Sequence, residues 1–326
     1  MEPKSLLIIG GSGFFGKSIL KYLSNNSLLN IKIKKIFILS RRKLELAIYN
    51  KKLKKKFEII KINSNMLTIK SLPKTDYVIY AAILKNYKND NEAVKNYLNL
   101  AKKYHLKSKV LYISSGAVYG KQPESNKGFK ENYLQFNNKI SFKKSYKKQY
   151  SEIKFKNEKL FQQFGKNGAK VSIARCFSFV GPNLPLKTNY VIGNIINNVL
   201  RNKDINIKAN YRIIRSYMYS DDLVRWLFKI IDKSNNQCPV FNVGSNDKIS
   251  IHKIAHLLAK KYNLEILSPK ISSKKIDNYI PNTDKAKREL NLVINNTSLE
   301  AIQKTINFYL KNSVKKKEKV ILARKI

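Results

Sequence analysis

Cysteine, acidic side chains and long apolar runs are all scarce in this chain. Its 326 residues include 2 cysteines, Cys176 and Cys238, which are too few for a disulfide framework, and a chain of this length needs none. No apolar run approaches the roughly 20 residues of a membrane-spanning helix, and the run at 5–9 is too short for a secretory signal peptide. We therefore expect a cytoplasmic protein without a membrane partner.

Histidine is also rare, and its arrangement does not indicate a metal site. His252 and His256 are four residues apart, but the segment His-Lys-Ile-Ala-His lacks the glutamate of a zinc protease helix. We expect no resident metal ion.

The shortage of acidic residues leaves a net charge of +44, from 65 lysines and arginines against 21 aspartates and glutamates. Such a charge is typical of nucleic-acid binding proteins. It also follows from a compositional bias, because lysine, asparagine, isoleucine and tyrosine are abundant together. The lysines are scattered, with local runs at 51–56 and 315–317, and no DNA- or RNA-binding signature accompanies them. We expect no specific nucleic-acid partner, although the charge favours anionic substrates.

Short apolar runs alternate with amphipathic stretches in the first half of the chain. The runs predict strands, and the amphipathic stretches predict helices. The predicted strands are 6–10, 35–40, 57–62, 77–82, 110–114 and 171–176, and the predicted helices are 14–23, 89–104 and 151–164. Continuous apolar strands that alternate with helices indicate a parallel sheet covered on both faces. This is the α/β doubly wound fold, whose ligand crevice lies at the carboxyl ends of the strands.

The second half has a different pattern, because Pro182, Pro185 and several asparagines divide it into shorter pieces. Helices are predicted at 191–201, 223–232, 251–262 and 299–310. We expect a dinucleotide-binding domain over 1–176 and a smaller C-terminal lobe over 177–312 that is mainly substrate-binding. A return of the chain to the sheet stays open, and 313–326 form a basic tail.

Glycines at 10, 13 and 16 follow the first predicted strand and open the first helix. Gly10 allows a sharp turn, Gly13 allows the backbone to approach a pyrophosphate, and Gly16 allows close helix packing. The N–H groups at the helix start, at Phe14 and Phe15, then face the phosphates. The strand–turn–helix context makes this a strong indication of a dinucleotide site.

The second strand predicts which dinucleotide binds. It ends in Ser40, Arg41 and Arg42, where NAD-binding folds usually place an acid for the ribose hydroxyl. A hydroxyl and two guanidinium groups suit a 2′-phosphate, which favours NADP(H) and leaves NAD(H) open. Ala81 and Ala82, at the end of the fourth strand, complete the predicted cofactor set.

Three residues form a candidate catalytic set. Ser115 follows the fifth strand, and Tyr150 and Lys154 are four residues apart on one helix face. A serine hydroxyl can polarise a carbonyl oxygen, and a tyrosine can exchange the proton that accompanies hydride transfer. We expect the lysine ammonium to lower the pKa of Tyr150.

These residues together resemble the extended short-chain dehydrogenase/reductase family of the NAD-dependent epimerase/dehydratase type, over roughly residues 5–310. The resemblance implies a Rossmann fold, a nucleotide-sugar substrate and a Ser115–Tyr150–Lys154 triad, with Lys154 also on the nicotinamide ribose. The segments around Ser178 and Arg215 are similar to its substrate-binding segments, and the combination is similar to a branch from polysaccharide biosynthesis. Relatives often form dimers, which leaves a homodimer open.

The chain departs from the family at three places. Ser178 stands where many relatives have asparagine. The stretch 123–149 is long and forms either a lid or a loop. Dehydratases have an acid pair just after the catalytic hydroxyl residue, but Gly116 and Ala117 stand here, which disfavours water elimination.

The sequence therefore predicts an enzyme, and most directly an NADPH-dependent reductase of a nucleotide-linked 4-keto-6-deoxy sugar. The alternative is a 4-epimerase that retains NAD. A more remote alternative is a non-catalytic Rossmann protein that binds RNA through its basic surface.

Overall fold

The structure, a computed structural model, describes residues 3–25, 32–42, 50–84, 86–133, 146–186 and 190–323. The strands of this part of the chain are β1 (Lys4–Ile9), β2 (Ile33–Ser40), β3 (Glu58–Asn63), β4 (Tyr77–Tyr80), β5 (Lys109–Ser115), β6 (Lys170–Cys176), β7 (Phe179–Val180), β8 (Ile205–Asn206), β9 (Arg212–Arg215), β10 (Met218–Tyr219), β11 (Val240–Val243), β12 (Ile249–Ser250), β13 (Ile266–Leu267) and β14 (Ile276–Tyr279).

The helices alternate with the long strands in the first half and follow each other more closely in the second. They are α1 (Phe14–Asn25), α2 (Asn50–Lys56), α3 (Tyr87–Tyr104), α4 (Tyr146–Lys166), α5 (Val191–Leu200), α6 (Ser220–Asp232), α7 (Ile251–Tyr262), α8 (Asp284–Leu290) and α9 (Ser298–Ala323), with a short 3₁₀ turn at Gly116–Tyr119.

Within the described residues, seven parallel strands form the central sheet in the order β11-β6-β5-β4-β1-β2-β3. The strand order reverses between β1 and β4, so their carboxyl ends form the crevice where doubly wound folds bind ligands. The predicted α/β doubly wound class is therefore confirmed. The edge strand β11 comes from the second half of the chain and pairs with β6 through Val240–Ile173 to Val243–Cys176.

Two apolar layers cover the sheet because its strands are apolar on both faces. Leu6 and Ile8 pack with residues of α1 and α6, whereas Leu7 and Ile9 pack with residues of α3 and α4. All four side chains are fully buried, and each such burial contributes about 1.5–3 kcal/mol. The alternation fixes which helices lie on each face.

The second half builds a third apolar cluster around α5, α7 and α9, including Ile196, Ile254 and Ile302. The small strands β9, β12 and β14 form a separate sheet beside it. The backbone of 313–323, within the predicted basic tail, continues α9.

Candidate active site

The turn after β1 packs tightly against its neighbours. Gly10 has a φ of 95°, which favours glycine, and a Cβ there would lie 2.7 Å from the backbone nitrogen of Ala82. A Cβ on Gly16 would lie 2.4 Å from the Cα of Gly11. Close packing within the protein explains these two glycines, and it places Ala81 and Ala82 directly against the turn.

Gly13 has no such packing reason to be glycine. A Cβ there would meet only the carbonyl oxygen of Gly10, at 3.4 Å. The carbonyl oxygen of Gly13 accepts from the backbone nitrogen of Lys17 at 3.0 Å, so Gly13 stands at the start of α1, whose first turn contains no acidic residue. Free N–H groups and the positive end of the helix dipole suit a phosphate at this open face.

Phe14 and Phe15 are the first residues of α1, and their side chains are used for packing. The ring of Phe15 contacts that of Phe179 edge to face, with 5.8 Å between centroids. Their backbone N–H groups can donate to a phosphate bound at the open face beside Gly13. We call this open face, at Gly13, Phe14 and Phe15, the Gly13 cradle.

The edge after β2 is basic. Ser40 is 5% exposed, and its hydroxyl donates to the carbonyl oxygen of Arg42 at 2.8 Å. The hydroxyl is thus occupied in a local turn, while Arg41 and Arg42 are both exposed. These two guanidinium groups are exposed at the edge where the sequence predicts a 2′-phosphate.

The three predicted catalytic residues lie around the carboxyl end of β5. Ser115 is the last residue of that strand, and Ser151, next to Tyr150 in α4, donates to the carbonyl oxygen of Ala117 at 2.6 Å in the turn that follows. The Ser115 hydroxyl is close enough to influence the pKa of Tyr150. Lys154, one turn further along α4, donates from Nζ to the carbonyl oxygen of Ile113 at 2.9 Å. One helix and one strand therefore bring the hydroxyl, the phenol and the ammonium together.

The pKa of Tyr150 is raised, contrary to the sequence-based expectation. Burial is the largest cause, and the hydrogen bond from Ser115 is the influence that opposes it. The expectation was wrong because the Lys154 ammonium is directed to a backbone carbonyl rather than to the phenol. The phenol is held in its protonated form, as a proton donor requires.

Lys154 is nearly fully buried, at 4% exposed. Burial lowers its pKa, and the attraction of Asp90 on α3 is the largest influence that raises it. The ammonium lies 5.0 Å from the ring centroid of Tyr112, which favours the charged form.

Tyr279 belongs to the site, although the sequence did not indicate it. Its phenol oxygen lies 3.4 Å from Oγ of Ser115, and its ring lies 4.8 Å from that of Phe177. Burial raises the pKa of Tyr279, so this phenol is protonated too. The strand β14 thus places a second phenol beside the hydroxyl of Ser115, the predicted catalytic serine.

The position after Ser115 is closely packed against an aromatic ring. A Cβ on Gly116 would lie 2.6 Å from the ring of Phe177. An acidic side chain at this position would require Phe177 to move away from Tyr279. Glycine at this position therefore allows Phe177 to pack against the turn that follows Ser115.

The predicted substrate-binding residues lie on the lobe side. Arg215 donates to Oδ2 of Asp277 at 3.0 Å, and its guanidinium carbon lies 6.0 Å from the ring centroid of Tyr279. Arg215 and Ser115 therefore share Tyr279 as a neighbour. Ser178 is half-buried in the segment after β6, and its carbonyl oxygen accepts from the backbone nitrogen of Met218 at 3.1 Å.

A buried ion pair connects the elements that carry the predicted catalytic residues. Arg175 donates from Nη2 to Oε2 of Glu158 at 2.8 Å, and the two side chains are 2% and 0% exposed. Glu158 also accepts from the hydroxyl of Ser114, beside the catalytic serine. Arg175 further donates to the phenol oxygen of Tyr119 at 3.0 Å. Through these contacts the pair connects β5, α4 and β6 next to Ser115.

The first part of the long stretch after Ser115 is fixed to the lobe. Gln122 forms an antiparallel bridge with Asn278, and the fully buried Phe129 forms a parallel bridge with Pro281. Residues 134–145 lie outside the described residues, so the lid and loop alternatives for 123–149 both stay predictions.

No group of histidine, cysteine, aspartate and glutamate side chains within the described residues is arranged to hold a metal ion. Both cysteines carry free thiols. None of the helices in the described ranges combines the length and hydropathy that a membrane span requires.

A family model described as the NAD-dependent epimerase/dehydratase family matches residues 6–244. A dTDP-D-glucose 4,6-dehydratase of Dictyostelium discoideum is 30% identical over 76% of this chain and 59% of its own length. The chain spans between 52% and 60% of the length of the curated relatives it matches.

Solved structures with the same fold cover nearly the whole chain. A UDP-glucose 4-epimerase of Thermotoga maritima, solved with UDP-glucose, has a TM-score of 0.74 at 19% identity, over 94% of this chain and 99% of its own. A dTDP-glucose 4,6-dehydratase of Bacillus anthracis, solved with NAD, has a TM-score of 0.72 at 17% identity, over 95% of this chain and 97% of its own. At these identities the likeness shows the fold.

Proposed function

Because the chain belongs to the NAD-dependent epimerase/dehydratase family, we propose that it is a nucleotide-sugar oxidoreductase acting on the sugar's C4. The observation that carries the proposal is the meeting of Ser115, Tyr150 and Lys154 at the carboxyl end of β5, at the edge where the Gly13 cradle opens. A bound nicotinamide supplies or accepts the hydride there.

The side chains of the site supply the proton chemistry. Ser115 donates a hydrogen bond to the reacting sugar oxygen, without losing its proton, and so polarises the bond between that oxygen and carbon. Tyr150 is protonated because burial raises its pKa, so it gives its phenol proton to that oxygen as hydride reaches the carbon. Lys154, whose Nζ donates to the carbonyl oxygen of Ile113 beside the site, would hold the nicotinamide ribose through its ammonium group.

The specific reaction we propose is reduction of a nucleotide-linked 4-keto-6-deoxy sugar with NADPH. The exposed Arg41 and Arg42 after β2 support NADPH, because they can meet a 2′-phosphate where no carboxylate competes. The absence of an acidic side chain at Gly116 and Ala117 argues against 4,6-dehydration. The diphosphate would lie at Arg215, which requires exchange with Asp277.

A 4-epimerase with retained NAD is the second candidate. Two observations favour it: the matching family is NAD-dependent, and the Ser40 hydroxyl is occupied in its own turn rather than free for a 2′-phosphate. The same three catalytic residues serve this reaction, with hydride returned to the opposite face of the sugar.

Identification of the dinucleotide separates the two candidates. The purified protein is denatured, any released dinucleotide is identified, and the empty protein is titrated with NADPH and NADH. Loose binding that prefers NADPH, followed by turnover of a 4-keto sugar nucleotide, supports the reductase. Tightly held NAD with interconversion of nucleotide hexoses would replace it with the epimerase. Light scattering on the native protein tests whether it forms a homodimer, which the sequence leaves open.

A further inference from the structure

Asp90 is a buried carboxylate on α3, the helix that packs against the catalytic helix α4. It is 2% exposed. Its Oδ1 accepts from the backbone nitrogen of Leu84 at 2.7 Å, and its Oδ2 accepts from Nδ2 of Asn157 at 3.0 Å. Both donors are neutral, so the charge of the carboxylate needs compensation from elsewhere.

Lys154 is the cation that acts on this carboxylate. Asn157, the amide that donates to Asp90, lies on α4 one turn beyond Lys154. Burial raises the pKa of Asp90, and the attraction of Lys154 is the largest influence that opposes this rise. Burial likewise lowers the pKa of Lys154, and Asp90 is the largest influence that opposes that fall. Lys154 is itself 4% exposed. The two groups do not form a direct ion pair, and in a buried site such charges attract each other across a gap.

The other titratable groups around this pair leave Asp90 as its counter-charge. Cys176 on β6 has a raised pKa because it is buried, and its thiol is neutral. Glu158 on α4 is paired with Arg175. The phenols that face Asp90 or Lys154 are neutral because burial raises their pKa values: they are Tyr80 on β4 and Tyr112 on β5. Among the described residues around Lys154, Asp90 is thus the carboxylate without another cation.

The orientation of Asp90 is fixed by a chain of amides. Asn91 donates from Nδ2 to Oδ1 of Asn157 at 2.7 Å, which turns the Nδ2 of Asn157 toward Asp90. Asn157 is completely buried on α4, one turn beyond Lys154. Leu84, the other donor, follows the predicted cofactor residues Ala81 and Ala82. Asp90 therefore links the end of β4 to the catalytic helix.

We propose that Asp90 is a positioning residue for Lys154, whose carboxylate keeps the lysine side chain protonated and directed toward the carboxyl end of β5. The role given to Lys154 rests on the proposed function. The electrostatic coupling of the two side chains does not, because it can be measured without cofactor or substrate.

A double-mutant cycle measures that coupling. Asp90→Asn, Lys154→Met and the double variant are unfolded in urea at pH 7, with fluorescence of the single tryptophan, Trp226, as the signal. We expect Asp90→Asn to lower the midpoint less in the Lys154→Met background, since no buried ammonium then needs compensation. Equal effects in both backgrounds would overturn the proposal.

Asp232→Asn is the matched control. It removes a carboxylate that also pairs with a lysine, Lys109, at 2.6 Å, but this pair is partly exposed. Its effect should be the same with and without Lys154→Met. If Asp90→Asn does not fold alone, recovery of folding in the double variant supports the proposal, and Asn91→Ala then tests it by loosening Asn157 with a smaller change.

The pH dependence of turnover tests the catalytic consequence. Loss of the Asp90 charge lowers the pKa of Lys154, so the alkaline limb of kcat should move to lower pH, with kcat about tenfold lower just above the original limb. Asn91→Ala should move it in the same direction by less. An alkaline limb unchanged in Asp90→Asn would overturn the proposal. Coupling in the cycle without turnover of any nucleotide sugar by the native protein would instead overturn the proposed function.

Discussion

Gly13→Ala should separate cofactor binding from folding. The Cβ of alanine would touch only the carbonyl oxygen of Gly10, at 3.4 Å, so the protein itself has room for it. The same methyl group would stand at the open N-terminal face of α1, where the backbone must approach a pyrophosphate closely. We expect dinucleotide binding to be lost while the fold is kept.

The magnitudes follow from the contacts. Gly13 immediately precedes α1, and alanine is a poorer N-terminal cap than glycine, which costs up to about 1 kcal/mol of helix stability. If the methyl group breaks two hydrogen bonds to the charged phosphates, about 1.5–3 kcal/mol each is lost. The two hydrogen bonds together account for about 3–6 kcal/mol of binding free energy. This corresponds to a loss of dinucleotide affinity of more than about a hundredfold.

Calorimetric titration with NADPH, NADH and NAD measures the affinity, and urea unfolding followed by Trp226 measures stability. Gly16→Ala is the control, because its Cβ would lie 2.4 Å from the Cα of Gly11. That clash with backbone should lower the free energy of unfolding by about 1–3 kcal/mol. Unchanged dinucleotide affinity in Gly13→Ala would mean that the phosphate cradle is elsewhere, and the assignment of this turn would be wrong.

Three further substitutions test other parts of the site. Tyr150→Phe should lower kcat by about 10²–10⁴-fold with unchanged dinucleotide affinity in calorimetry, and full activity would exclude the phenol as proton donor. Arg41→Ala should weaken NADPH about tenfold or more while NADH changes little, because a charged hydrogen bond to the 2′-phosphate is lost; an equal loss for both would contradict that contact. Glu158→Gln should lower the free energy of unfolding in urea by about 3–5 kcal/mol, since it leaves Arg175 as an uncompensated buried charge. Asp232→Asn, at the surface, should cost less than about 1 kcal/mol, and a similar loss in both variants would show that burial adds nothing.

The long strands could be predicted from sequence because each is an apolar run buried on both faces. The predicted strand 171–176 differs from β6 by one residue, and the predicted helix 251–262 has the bounds of α7. Tyr150 and Lys154 both lie in α4, as their spacing predicts, because residues four apart share one face of a helix.

Other elements could not be predicted, since their signal is not local. The helix α2 is mostly lysine, and α8 is short and charged, so neither has an apolar period to detect. Tyr279 reaches Ser115 across 164 residues because β14 pairs with β9, which no local pattern indicates. The raised pKa of Tyr150 depends on burial by elements far apart in the chain.

The pairing of β11 with β6 affects how this protein can be rearranged by recombination. A gene fragment that ends at residue 176 encodes neither β11 nor α6. The helix α6 carries the fully buried Trp226, which belongs to the same apolar layer as Leu6 and Ile8 of β1. The shortened product would expose the full edge of β6 and part of the apolar face beside it, and such edges favour aggregation. We therefore expect the substrate specificity of this architecture to diversify through changes within the lobe's loops rather than by exchange of the lobe as a cassette.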